Sequence, residues 1–125
     1  DIEANQAVIV RRDTREKKIV SLDALESEIT ALLADITAGL YNKASENRRS
    51  KTYTETELDS FIETAKSKPG YIRAHWCGDL ECELKLKELA DVTSRCMPFG
   101  EQDEDGKCIC CGKPTKKLVY WGKAY

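Results

Sequence analysis

Apolar positions in the first half of the chain change their period part-way. Ala7, Val8, Ile9 and Val10 form a short β-type run, Asp13-Thr14-Arg15-Glu16 interrupts it, and Ile19 and Val20 resume it. This pattern predicts a hairpin at a sheet edge with a loop of about four residues. Leu22, Leu25, Ile29, Leu32, Leu33, Ile36 and Leu40 then recur at steps of three and four. The spacing predicts an amphipathic helix capped by Ser21, with Asp23, Glu26 and Glu28 near its positive end and one apolar face to bury. The helix can run through Ala44 before the polar stretch 46–51, where the apolar period stops. A linker is expected there, with a domain boundary near Thr52.

The second half alternates shorter elements. Thr54-x-x-Glu57 reads as a capping box ahead of a helix carrying Leu58, Phe61, Ile62 and Ala65, closed by Pro69-Gly70. Residues 71–76 read as a strand with Ile72, Ala74 and Trp76 on one face, and Asp79 caps a helix over about 80–90. Further strands are expected over 92–99 and 118–121, separated by an acidic, mobile loop at 100–106. The expected fold class is α+β: a two-layer sandwich with helices packed on a small mixed sheet, preceded by a β-hairpin and a long helix.

Composition narrows the function classes. The chain has 125 residues, with 20 Lys+Arg against 22 Asp+Glu and a formal net charge of −2. That length excludes a multidomain enzyme, and the charge excludes nucleic-acid binding by bulk electrostatics, leaving local basic patches. No apolar run approaches the roughly 20 residues of a membrane span, and the N-terminal residues lack the basic flank and apolar core of a secretion signal.

All six cysteines lie in the second half, at 77, 82, 96, 108, 110 and 111. Cys77 and Cys82 are four residues apart in the C-x4-C sense, and Cys108 and Cys111 form C-x2-C. Two such clusters brought together by folding supply the four thiolates of a tetrahedral zinc site, which leaves no position for water or substrate and is therefore structural. Cys82 falls three residues after the cap Asp79, where a helix end favours thiolate, and Gly112 after Cys111 allows the backbone to turn. Three disulfides in a secreted scaffold are the competing reading, disfavoured by the long amphipathic helix. A redox role for Cys108 and Cys111 is disfavoured by Gly112-Lys113-Pro114, which blocks a following helix. Cys96 is expected to be a small buried residue in phase with Val92, and Cys110 to point away from the metal. His75, the one histidine, is read as a strand-surface or supporting residue. Trp76, Tyr120 and Trp121 are read as core, and the Lys113, Lys116, Lys117 and Lys123 strip as a solvated edge able to touch phosphate.

Four ordered segments carry a family resemblance: Gly70-Tyr71-Ile72-Arg73-Ala74-His75-Trp76-Cys77-Gly78-Asp79, Thr93-Ser94-Arg95-Cys96-Met97-Pro98-Phe99, Gly106-Lys107-Cys108-Ile109-Cys110-Cys111-Gly112-Lys113-Pro114 and Trp121-Gly122-Lys123-Ala124-Tyr125. Together they resemble the C-terminal part of prolyl-tRNA synthetases of the archaeal and eukaryotic type. The segment around Val8 to Thr14, with Val20-Ser21-Leu22-Asp23, is similar to the end of that family's anticodon-binding domain. The resemblance implies residues 1–53 as the end of that domain and 54–125 as a zinc-binding domain with the fold of a bacterial translation initiation factor's C-terminal domain. Its zinc ligands correspond to Cys77, Cys82, Cys108 and Cys111. It further implies a cytoplasmic, homodimeric proline–tRNA ligase using ATP and Mg²⁺, of which this chain, lacking the class II catalytic motifs, is a C-terminal fragment acting on tRNA(Pro) as part of the whole. The Tyr125 carboxylate is implied to approach the proline site. A free-standing zinc-stabilised RNA-binding module is the alternative.

Overall fold

The computed structural model describes residues 3–102 and 104–124; the expectation for Tyr125 lies outside the described residues. The chain forms two compact units, Asp1–Glu46 and Asn47–Tyr125. In the first, β1 (Gln6–Val10) and β2 (Lys17–Ser21) pair antiparallel, with Val10 opposite Lys17. Ser21 accepts a hydrogen bond from the Asp23 amide and opens a short 3-10 turn over Leu22–Ala24, which leads into α1 (Leu25–Ser50). Arg11 bonds Asp13 and Asp35, and Lys18 bonds Glu28 at 2.6 Å, tying hairpin to helix. The paired guanidinium of Arg11 holds the Asp13 carboxyl down at about 2.

Two expectations change here. Helix α1 continues through 46–50, where a linker was expected. Glu46, Arg48 and Arg49 are good helix formers, and Arg48 and Arg49 sit at the negative end of the helix dipole, so the helix outlasts its apolar stripe. The stripe is also less covered than its spacing predicts. Leu25, Leu32 and Ile36 are half-buried, whereas Ile29, Leu33 and Leu40 remain exposed, because a two-stranded hairpin offers too little surface to cover them.

The second unit contains β3 (Thr52–Thr54), α2 (Leu58–Ser67), β4 (Tyr71–His75), α3 (Leu80–Ala90), β5 (Thr93–Cys96), β6 (Gly106–Lys107), β7 (Pro114–Thr115) and β8 (Leu118–Gly122). Four strands form one sheet in the order β3-β4-β8-β5. β3 and β4 run parallel, joined through α2, while β8 is antiparallel to both β4 and β5, so the sheet is mixed as expected. The helices cover it through Phe61 and Ala65 of α2 and Leu86 and Ala90 of α3, which meet Ile72, Ala74, Val92, Ile109, Val119 and Trp121 in one core. Trp121 is its centre. Its ring meets Phe61 edge-on at 6.2 Å and Trp76 edge-on at 6.4 Å, and its indole N–H donates to the Ala74 carbonyl at 3.3 Å.

Several local expectations are corrected. Thr54 is not a cap. It belongs to β3, opposite Arg73, and α2 begins after Glu57, which makes no side-chain cap bond. Three residues of β-type Thr-Tyr-Thr gain more from pairing with β4 than from local capping. The strand expected over 92–99 is only Thr93–Cys96, since Pro98 has no N–H to give a ladder. The start of the acidic loop is anchored: Glu101 pairs with Arg73 at 2.8 Å, and the Gln102 side chain donates to the Pro98 and Leu118 carbonyls and accepts from the Leu118 amide. Asp79 does cap α3, accepting from the Glu81 amide at 3.1 Å. Asp79→Ala is expected to cost about 1 kcal/mol, read as a lowered denaturation midpoint; an unchanged midpoint would contradict this role.

Candidate metal centre

Cys77 follows β4, Cys82 lies in the first turn of α3, and Cys108 and Cys111 occupy the turn between β6 and β7. The turn is shaped by the backbone: the Gly112 amide donates to the Cys108 carbonyl and the Cys108 amide to the Lys113 carbonyl, both at 2.8 Å. Gly112 takes a positive φ of 74°, a conformation other residues adopt at a cost, which lets the chain double back. The turn is fastened to the sheet by the Ile109 amide donating to the His75 carbonyl at 2.9 Å. On the other side the Thr115 hydroxyl donates to the Trp76 carbonyl at 2.9 Å, and the Trp76 amide to the Lys117 carbonyl at the same distance.

The result is a cluster of four Sγ atoms, from Cys77, Cys82, Cys108 and Cys111, all within 4.8 Å of one another. Cys77 and Cys82 sulfurs are 3.7 Å apart, and Cys111 and Cys77 sulfurs 3.8 Å. A tetrahedron of thiolates with metal–sulfur bonds of about 2.3 Å has edges of about 3.8 Å, so these distances fit such a shell. The six cysteines form no disulfide.

The electrostatics of Cys77, Cys82 and Cys108 differ. Burial pushes the Cys82 thiol well above its ordinary value, and the neighbouring Cys111 and Cys77 sulfurs push it further. Burial likewise raises Cys77. Burial also acts to raise Cys108, but backbone N–H groups of Cys111, Cys110 and Cys77 oppose it and bring this thiol down to about 7. Crowded thiols of this kind resist gathering negative charge, which a divalent cation would neutralise.

The remaining candidates divide. Cys110 packs against the core and Cys96 is exposed. The expected burial of Cys96 fails because the β5–β8 register shifts between Ser94 and Cys96, and one extra residue inverts the alternation. His75 places its ring against Gly106, with Nε2 3.3 Å from the Glu104 carbonyl, and supports the turn. Trp121 is a core residue and the half-buried Trp76 packs against the core, while Tyr120 is half-buried beside Arg73, which lies 5.7 Å from its ring. The lysine strip does not form one surface. Lys116 pairs with Asp105 at 3.6 Å and Lys117 lies 6.0 Å over Trp76, whereas Lys123 sits beyond the far end of β8.

Residues 58–125, more than half of the chain, match the family model described as prolyl-tRNA synthetase, C-terminal. The chain belongs to this family. A proline–tRNA ligase of Clostridium novyi (strain NT) is 57% identical over all 125 residues, which are 26% of that protein. A proline–tRNA ligase 2 of Bacillus thuringiensis (strain Al Hakam) is 52% identical over the same share of both. Among solved structures, prolyl-tRNA synthetase from Cryptosporidium parvum complexed with halofuginone and AMPPNP superposes with a TM-score of 0.90 at 30% identity, covering 100% of this chain and 27% of that one. The chain therefore spans about a quarter of the length of the relatives it matches. Similarity to proline–tRNA ligases over the whole of this chain disfavours a free-standing RNA-binding module.

The sequence reading missed one set of residues. Lys51, Lys68 and Arg95 converge with Lys123 on a cleft of the second unit. They are far apart in the chain and follow no period, so no sequence signal groups them.

Proposed function

We propose that this chain is the C-terminal region of a class II proline–tRNA ligase that joins L-proline to tRNA(Pro) with ATP and Mg²⁺, working as a cytoplasmic homodimer. In this reading residues 1–53 end the anticodon-binding domain and 54–125 form a zinc-binding appendage. The observation that carries it is the match of 58–125 to the prolyl-tRNA synthetase C-terminal family, extended over the whole chain by relatives that are proline–tRNA ligases.

Cys77, Cys82, Cys108 and Cys111 would hold the zinc, whose chemistry here is that of a closed four-thiolate cross-link with no open position. The residues of the chain define what is linked: the end of β4, the first turn of α3 and the β6–β7 turn. No carboxylate, nucleophile and phosphate-binding set of the kind that activates an amino acid is assembled among the described residues, so the chemistry belongs to the rest of the parent.

The test is proline-dependent exchange between pyrophosphate and ATP. The full-length parent is expected to catalyse it, and the 125-residue chain alone is expected to show none. A parent without proline-dependent exchange removes the ligase reading; exchange by the short chain at the rate of the parent removes its role as an appendage.

A further inference from the structure

At the end of the sheet where β4 begins and β8 ends, the second unit carries a cleft of about 470 Å³. Its apolar lining includes Ala65, Ile72, Val92 and Trp121, all buried core residues. Its cations are Lys51, Lys68, Arg95 and Lys123, all exposed, and among the described residues no Asp or Glu lines it. None of these four forms an ion pair among the described residues, in contrast to Arg73 and Lys116 of the same unit, which pair with Glu101 and Asp105.

The walls are fixed. The Tyr71 amide donates to the Lys51 carbonyl at 2.9 Å, and Gly70, at a φ of 125°, lies so close that a Cβ there would stand 2.0 Å from the same carbonyl oxygen. Arg95 donates to the carbonyls of Gly122 at 3.3 Å and Lys123 at 2.5 Å, setting the course of the segment that carries Lys123. Tyr71, half open to solvent, adds an aromatic face held against Gly122. Lys68 also lies 4.9 Å over the Tyr53 ring, but without a carboxylate partner among the described residues these cations, around an apolar floor with an exposed ring, suit a ligand with phosphates and flat bases.

We propose that this cleft binds a stretch of the sugar–phosphate backbone of the tRNA, with the lysines on phosphates and Tyr71 available to stack. The proposal rests on the ligase reading above. An overall charge of −2 makes the contact local, so it contributes part of the tRNA affinity and none of its sequence specificity.

The experiment uses the full-length parent with Lys51→Gln, Lys68→Gln and Lys123→Gln combined, leaving Arg95 in place for its structural bonds. Zinc content and denaturation midpoint establish that the variant is folded. Binding of tRNA(Pro) is measured against salt concentration. Loss of three phosphate contacts is expected to flatten the slope of log affinity against log salt by about 2 and to weaken binding roughly tenfold at low salt. An unchanged slope and affinity overturn the proposal. Unchanged tRNA affinity with impaired proline activation also overturns it, and identifies the occupant as an acidic protein surface. A parent that fails proline-dependent exchange fails at the earlier reading, independently of the cleft.

Discussion

Replacing Cys108 and Cys111 together by serine is expected to abolish stoichiometric zinc and to loosen the second unit as a whole. The four sulfurs gather the end of β4, the start of α3 and the β6–β7 turn within 4.8 Å, and without a metal the cluster has no disulfide to hold it. Structural zinc sites of this kind supply on the order of 10 kcal/mol of folding free energy in small metal-folded peptides. That is comparable with the whole net stability of about 5–15 kcal/mol for an ordinary domain. Chelation of the unmutated chain should have the same effect. By contrast, Cys96→Ser alters an exposed residue and Cys110→Ser a residue packed on the core, so both are expected to retain the metal. Native mass spectrometry reads the occupancy, and amide hydrogen exchange reads the loosening. Full occupancy in the Cys108, Cys111 double variant would show that the ligands lie elsewhere.

Trp121→Ala is expected to have the next largest effect, a loss of about 3–5 kcal/mol. This side chain is fully buried on the central pair of strands, edge-on to both Phe61 and Trp76. Truncation leaves a cavity that touches α2, β4 and the segment entering the cysteine cluster, and it leaves the Ala74 carbonyl without its indole donor. Trp121→Phe keeps part of the volume and should lose less. Denaturant unfolding of the zinc-loaded protein measures both, and a midpoint for Trp121→Ala equal to the unmutated one would place the core elsewhere.

The two predictions differ in how visible their causes are in the sequence. The cysteine pairs stand out because metal ligation demands a small set of residue types at short, fixed separations, and each pair sits on a local structure its neighbours specify: Asp79 caps α3 beside Cys82, and Gly112 turns the chain after Cys111. Trp121 was legible as a core aromatic on a strand, but not as the centre of the core. Its central place depends on β8 inserting between β4 and β5, strands that precede it by tens of residues.

Local periodicity and propensity determined the hairpin, the helical character of 25–44, the strand 71–75 and the helix 80–90, because the forces that select them act within one or two turns. The same reasoning stopped where partners are distant. Thr52–Thr54 becomes a strand only because β4 is there to pair with it, and Cys96 turns outward because a register shift against β8 inverts its face. Glu101 and Gln102 are anchored because they reach Arg73 and Leu118, and the four cations of the cleft meet only when β3, α2, β5 and β8 are assembled. The sequence alone therefore determined most of the elements and singled out the four thiols that the fold gathers, through short-range spacing. Pairing register, burial and the gathering of unpaired charge were decided by tertiary structure, since each depends on which distant surface a residue meets.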